Sequence, residues 1–273
     1  MPELERHATN LVDVVYGNEI LRFDDATENW FEVTKIYRPS MAWDAPGVSR
    51  LARSPIMQEI ATRSGKRFDN LPLIELPQPL SCETSLSNAI SSRKSAEKFS
   101  GDAITLKELT TVLMNSYGEI TRQEGIRRAV PSGGGLYPLN LYILASRVDS
   151  LDHGVWYFDA RRNGLTKIGD FNDESLCRTL LQEEAVAGAA ATIVISASFW
   201  RSRFKYGSRS SRFIFIEAGH VVQNMTLTAA ALSLAGRPYG GFIDDELCDV
   251  IGVENGVDEA PLYAYVLGKW NTQ

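Results

Sequence analysis

Cysteine is scarce in this chain: Cys82, Cys177 and Cys248 are the only three, far apart and without a Cys-x-x-Cys pair. That leaves little room for a disulfide framework or a cysteine-built zinc site, and it points to a reducing cytoplasm. Histidine is equally rare. Glu217 and His220 stand three residues apart on one stretch, but a metal centre needs further ligands that do not recur at that spacing, so we expect no metal. A hydrogen-bonded buried carboxylate is the plainer reading of Glu217. Long hydrophobic runs are missing as well. The least polar stretch, AVAGAAATIVISASFW (185–200), is too short and too interrupted to span a bilayer, so we expect no membrane. The polar start MPELERHATN has no apolar segment of the signal-peptide kind. Fixed-period repeats, a Walker loop and a Gly-x-Gly-x-x-Gly fingerprint are all absent.

The most informative absence is local. Between Glu184 and Glu217 there is no acid at all, yet Arg201, Arg203, Lys205, Arg209 and Arg212 fall inside that window. The chain as a whole carries a net charge of −6. An acidic chain is a poor binder of nucleic acid, which needs a broad basic face to displace counterions. The window therefore suggests a smaller anion, or a reaction that develops negative charge. Arg201 and Arg203 read equally well as solvated or docking cations, and Arg209 and Arg212 as partners of carboxylates such as Glu217.

What is present is globular stock: 44% hydrophobic and 23% charged residues over 273 positions, enough to bury a core. The segment LPLIELPQPL (71–80) holds three prolines and reads as an extended connector. We put a boundary there, with an N-terminal helical and extended region over 1–79 and the main domain over 80–273. Helices are expected over 85–93 and over 105–116, where Thr105 and Glu108 form a capping box ahead of Leu106, Leu109 and Leu113. Another is expected after Asn172. Strands are expected over 139–147, 192–199 and 261–268, with a hairpin over 154–169 turning at Asn163-Gly164. A long helix apolar around its circumference is expected over 212–236, stopped by Gly236 and Pro238, and buried in a core or a subunit interface. Asp244 is expected to cap a last short helix ending at Gly252. The mixture lacks regular βαβ alternation, so the class is α+β.

Two segments carry chemistry. In PSGGGLYP (131–138), three glycines between two prolines let backbone N–H groups approach a flat or anionic ligand; alone, such a loop can equally be a plain turn. In RKSAEKF (93–99), Arg93, Ser95 and a nearby lysine can clamp a phosphate, or form a solvated helix end.

Taken in order, RKSAEKF, PSGGGLYP, FKYGSRSSRF (204–213) and IEAGHVVQN (216–224) resemble the FMN-dependent nitroreductase-like fold. They are most similar to its thiazole- and oxazole-forming branch, the SagB/McbC-type peptide azoline dehydrogenases. The resemblance runs from about residue 80 to the C-terminus. It implies a mostly antiparallel central sheet flanked by helices, in a homodimer with FMN at the interface. It implies that Arg93 and Ser95 hold the FMN phosphate, and that Pro131, Ser132, Gly133 and Gly134 line the isoalloxazine. Arg209, Gln223 and Asn224 would contact the flavin or the dimer partner, and Lys205 and Tyr206 would be catalytic. The surrounding arginines would disfavour a protonated Lys205. The implied reaction is dehydrogenation of a thiazoline or oxazoline in a modified precursor peptide, with oxygen as final acceptor and cyclodehydratase subunits as partners. Two rivals stand beside it: an NAD(P)H-dependent nitro or quinone reductase, and a non-catalytic scaffold.

Overall fold

In the computed structural model the described residues are 26–39, 46–62, 65–122, 125–253 and 256–271. The polar start lies outside them. Period-two alternation of β-branched and aromatic residues produces a seven-stranded sheet, in which every neighbouring pair runs antiparallel. Its strands are β1 (Leu73–Glu75), β4 (Leu139–Ala145), β5 (Gly154–Asp159), β6 (Gly164–Gly169), β7 (Ala191–Ser198), β8 (Ala235–Tyr239) and β9 (Glu259–Gly268), in the order β1-β6-β5-β4-β7-β9-β8. A separate hairpin joins β2 (Glu119–Arg122) to β3 (Gly125–Arg128). The antiparallel α+β architecture expected from the sequence is the one observed.

Helices cover both faces. Successive side chains of a strand point to opposite sides, so Leu141, Ile143, Ile193 and Ile195 enter one core with Leu109, Leu113, Val221 and Met225. These last four come from α5 (Leu106–Tyr117) and α9 (Ser210–Ala231). Tyr142, Leu144 and Val194 enter the opposite core with Leu176, Leu247 and Ile251. The helices there are α6 (Asp173–Thr179) and α10 (Asp244–Ile251), with the short α7 (Glu183–Val186) beside them. Cys177 and Cys248 are buried in this second core as packing thiols. Before the sheet come α1 (Ala26–Val33), α2 (Pro46–Arg53), α3 (Pro55–Thr62) and, after β1, α4 (Leu86–Ser92). The last helix in chain order between β7 and α9 is α8 (Trp200–Tyr206). Among the described residues no helix is long and apolar enough to cross a membrane.

The local signals mostly resolve as expected. The Thr105–Glu108 capping box forms, and Lys269 Nζ pairs with its Glu108. Asn172 caps α6, and Asn163 takes the positive φ of 47° at the hairpin turn. Two boundaries differ. The long helix ends at Ala231, because Ser233 adopts a φ of 56° and Leu234 is buried. Gly236 and Pro238 then lie within β8 rather than terminating the helix. Pro238 is tolerated there because β8 is an edge strand, whose outward N–H has no ladder partner to lose. Asp244 also does not cap α10. Ile243 occupies that position, and Asp244, Asp245 and Glu246 form an acidic first turn that complements the helix dipole.

Candidate active site

Three segments distant in sequence meet at one end of the sheet. The glycine loop 131–135 enters β4; α8 leaves β7; and Gly207, with φ 55°, turns α8 through a single 3-10 turn into α9. Gly134 has a φ of 66° and lies on the surface, and a Cβ there would collide with both Lys205 Nζ and Tyr206 Oη. Lys205 Nζ sits 5.0 Å from the Tyr206 ring centroid. Phe213 meets that ring edge-on at 4.9 Å and lies against Gly133. The glycine loop and the Lys205–Tyr206 pair, some seventy residues apart, thus close on each other around a bare backbone.

Beneath the loop is a buried polar cluster that sequence reading did not assemble. Glu217, 2% exposed on α9, accepts a hydrogen bond from the Tyr117 hydroxyl at 3.0 Å, and the Ser132 hydroxyl lies near enough to favour its charged form. Burial pushes its carboxyl up to about 7, against the pull of those two hydroxyls and of the Arg128 charge. The Arg128 guanidinium stacks on the Tyr117 and Tyr137 rings at 4.2 and 5.2 Å. The buried hydrogen-bonded reading of Glu217 holds, while His220 points outward. Among the described residues no group of acids, histidines and cysteines could hold a metal ion.

Further along α9, a cavity of about 230 Å³ is bounded by Ser92, Lys94, Thr226, Ser233 and Tyr265. A shallower hollow beside it is lined by Lys94, Ser95, Lys98 and Trp270. Lys94 Nζ lies 4.5 Å over the Trp270 ring, and Arg93 is close enough to Tyr265 to act on its ionisation. The Tyr265 hydroxyl is enclosed and has no hydrogen-bond partner among the described residues, while Thr226 donates to the Val222 carbonyl at 2.7 Å. Lys94 could have been found from sequence, since it stands between Arg93 and Ser95. Tyr265 could not, because LYAYVLG reads only as a core strand. Lys269, another cation near this end, is taken by Glu108.

These features fit a mononucleotide. From Phe213, beside the glycine loop, to Thr226, beside the cationic hollow, α9 rises about 20 Å at ~1.5 Å per residue. That is of the order of an extended flavin mononucleotide. A bare loop for a flat ring stands at one end, and cations with an unmatched buried hydroxyl stand at the other.

The other singled-out residues lie as follows. Gln223 is exposed on α9, and Pro131 is exposed on the loop. The Asn224 amide donates to the Asn115 carbonyl at 3.1 Å and the Ala129 carbonyl at 3.4 Å, bracing the approach to the loop. Arg209 and Arg212 have partners other than those expected. Arg209 donates to the Thr34 carbonyl at 3.0 Å; Arg212 donates to the Thr34 hydroxyl at 2.8 Å and the Phe31 carbonyl at 2.7 Å. Neither pairs with Glu217, because these carbonyls end α1 and leave acceptors that the helix itself cannot satisfy. Much of the basic window therefore clamps α1 against α9, with Trp30 Nε1 donating to Ser211 and the Trp30 ring 6.0 Å from Phe215. Arg212→Ala removes about 1 kcal/mol or more of local tethering. Chymotrypsin cleavage around Trp30 and Phe31 is expected to quicken about fivefold, with the main thermal transition little changed.

Residues 90–269 match the nitroreductase family. MJ1384 of Methanocaldococcus jannaschii, named as a candidate nitroreductase, is 29% identical over 72% of this chain and 96% of its own length. The microcin B17-processing protein McbC of Escherichia coli is 25% identical over 62% of this chain, which spans 63% of that protein. A chain of the E. coli microcin synthetase McbBCD complex with truncated pro-MccB17 bound superposes with a TM-score of 0.60 at 21% identity. That alignment covers 87% of this chain and 98% of the other, and shows a common fold. With the antiparallel sheet, the bare glycine loop and the family match over most of its length, the chain belongs to the nitroreductase family.

Proposed function

We propose that this protein is a cytoplasmic FMN-dependent dehydrogenase that oxidises thiazoline or oxazoline rings in a ribosomally made peptide to thiazole or oxazole, with oxygen as final acceptor. The observation that carries the reading is the closure of Lys205 Nζ and Tyr206 Oη on Gly134. A proton-handling pair at a backbone open to a flat ring is what ring dehydrogenation needs. The likeness to a microcin-processing protein supports the peptide as substrate.

Arg93, Ser95 and Lys94 would hold the phosphate, and Ser132, Gly133 and Gly134 would lie along the isoalloxazine. When bound, FMN supplies a two-electron acceptor for the hydride equivalent that leaves one ring carbon. Lys205 Nζ takes the proton from the adjacent carbon, and the Tyr206 hydroxyl hydrogen-bonds to or relays it. Two electrons and two protons leave the substrate, and an aromatic ring results.

The exposed stripe of α9, with Phe215, Ile216 and Gly219 outward, is the surface we assign to a second copy, making a homodimer. Residues 1–79 would serve as the docking region for cyclodehydratase subunits or the peptide, with 80–273 as the flavin domain. The McbBCD likeness over nearly the whole of that chain supports such an assembly.

The test is direct. Purified protein loaded with FMN and given an azoline-bearing peptide in air is expected to yield a product lighter by two hydrogens. Anaerobic bleaching by NADH, with no change in the peptide, would instead make it a reductase, as the likeness to MJ1384 favours. A protein that takes up no flavin would be a scaffold.

A further inference from the structure

Glu217 has no part in the chemistry just described, yet two hydroxyls that hold backbone amides of one loop, those of Ser132 and Tyr117, stand beside it. At the start, the Ser132 hydroxyl accepts the Tyr137 N–H at 2.9 Å and lies near enough to Glu217 to favour its charged form. At the end, the Tyr117 hydroxyl donates to Glu217 at 3.0 Å and accepts the N–H of Leu139, the first residue of β4, at 3.2 Å. A hydroxyl has one proton, so a bond to the carboxylate turns its lone pairs toward the backbone amide. The segment between is costly to hold. Tyr137 has a φ of 46°, Gly134 and Gly135 have φ of 66° and 67°, and Gly135 N–H closes back on Ser132 O at 3.0 Å. Non-glycine residues at positive φ persist only where the surroundings over-determine them.

We propose that Glu217 is the positioning residue of the glycine loop, its carboxylate fixing both ends of residues 132–139 through Ser132 and Tyr117. The charged or titratable groups facing it are Tyr117 from α5 and Arg128 from β3, with the Ser132 hydroxyl from the loop. Burial raises the Tyr117 phenol well above its usual range, so it remains a donor at any working pH. A carboxylate accepts both protons in charge-assisted bonds; a protonated carboxyl is a weaker acceptor and brings a proton of its own that competes for the same hydroxyls, so the hold loosens. Since burial pushes the Glu217 carboxyl up to about 7, the strongly accepting carboxylate is present in about nine-tenths of molecules at pH 8, in about half at pH 7 and in about a tenth at pH 6. The loop would thus loosen on acidification, independently of Lys205.

The proposal rests on the flavin reading only for its consequence, so the test has two arms. In the flavin-free protein, hydrogen exchange of peptides covering 132–139, normalised for intrinsic rate, is expected to quicken between pH 8 and pH 6. In Glu217→Gln, which keeps the volume but cannot ionise, exchange is expected to be fast and unchanged over that range. In the second arm FMN affinity, read by fluorescence titration, falls about tenfold from pH 8 to pH 6 in the wild type and stays flat in the variant. If the variant keeps the wild-type pH dependence in the first arm, the proposal is overturned. If the wild type takes up no FMN at any pH, the flavin reading fails while the exchange arm still decides Glu217. Should Glu217→Gln not fold, Ser132→Ala replaces it: the pH response of the Tyr137 amide is expected to vanish while that of Leu139 persists. Loss of neither response would refute the relay.

Discussion

Lys205→Ala is expected to lower turnover of the proposed azoline substrate by a factor of about 10²–10⁴, the usual contribution of a positioned general base. The protein should remain folded and should still take up FMN, because the phosphate-binding candidates lie at the other end of α9 and the loop tether runs through Glu217. The loss should fall on kcat with little change in KM, since a proton-accepting group is needed in the transition state and not for binding. Tyr206→Phe removes the hydroxyl but keeps the ring that meets Phe213 edge-on. Its effect should be smaller if Tyr206 relays the proton and Lys205 receives it. Rapid-reaction measurement of flavin reduction by substrate, together with the absorbance of the bound flavin, separates the step from cofactor loss. A Lys205→Ala protein that keeps its yellow colour and turns over within about threefold of the wild type would remove Lys205 from the reaction.

The pair that carries this expectation was legible in sequence only through resemblance. Nothing in the composition of FKYGSRSSRF or PSGGGLYP says that the two segments touch. The contact is made by the turn at Gly207 and by the antiparallel pairing of β4 with β7, which bring both to the same end of the sheet. Local signals that use neighbouring residues were readable: the Thr105–Glu108 box, the Asn172 cap and the Asn163-Gly164 turn all depend on side chains within a few positions of their partners. Signals that use distant backbone were not. Arg209 and Arg212 announce positive charge, but apart from the Thr34 hydroxyl their acceptors are the carbonyls at the end of α1, which any sequence would supply equally. β8 was misread for the same kind of reason. Ala, Gly and Pro in AGRPY look like the end of a helix until β9 offers Tyr265 and Val266 as pairing partners. Glu217, Ser132 and Tyr117 form one cluster from three elements, and its members are about 85 to 100 residues from Glu217 along the chain.

Glu259→Ala should be the most destabilising single change at the sheet end, costing about 2–4 kcal/mol, as when buried donors lose a shared acceptor. Glu259 is 7% exposed. Its carboxylate accepts from Ser196 Oγ at 2.6 Å, Tyr142 Oη at 2.7 Å and Asn140 Nδ2 at 3.0 Å, and pairs with Lys66 Nζ at 2.8 Å. Removing it leaves the Ser196 and Tyr142 hydroxyls without that acceptor, while the Asn140 amide keeps Ser198 and the part-exposed Lys66 ammonium can turn to water; each unmatched buried donor costs more than the net worth of the bond it lost. Against a typical total stability of about 5–15 kcal/mol, that is a large fraction. Burial pushes the Glu259 carboxyl up, but the bonds from Lys66, Ser196 and Tyr142 and the Lys66 charge outweigh it, so the folded value lies below the ordinary 4.5. A depressed carboxyl contributes stability that is complete above the unfolded value and is lost as the pH falls through the folded one. Urea midpoints should therefore drop in the wild type as the pH is lowered below about 4.5, whereas in Glu259→Ala that share of the acid sensitivity should be gone. Lys66 belongs to the segment that leads from α3 to β1, so the same carboxylate also fastens the N-terminal helices to the sheet. A variant that unfolds at the wild-type urea concentration at pH 7 would mean that water reaches the cluster and that Lys66 is held by something other than this charge.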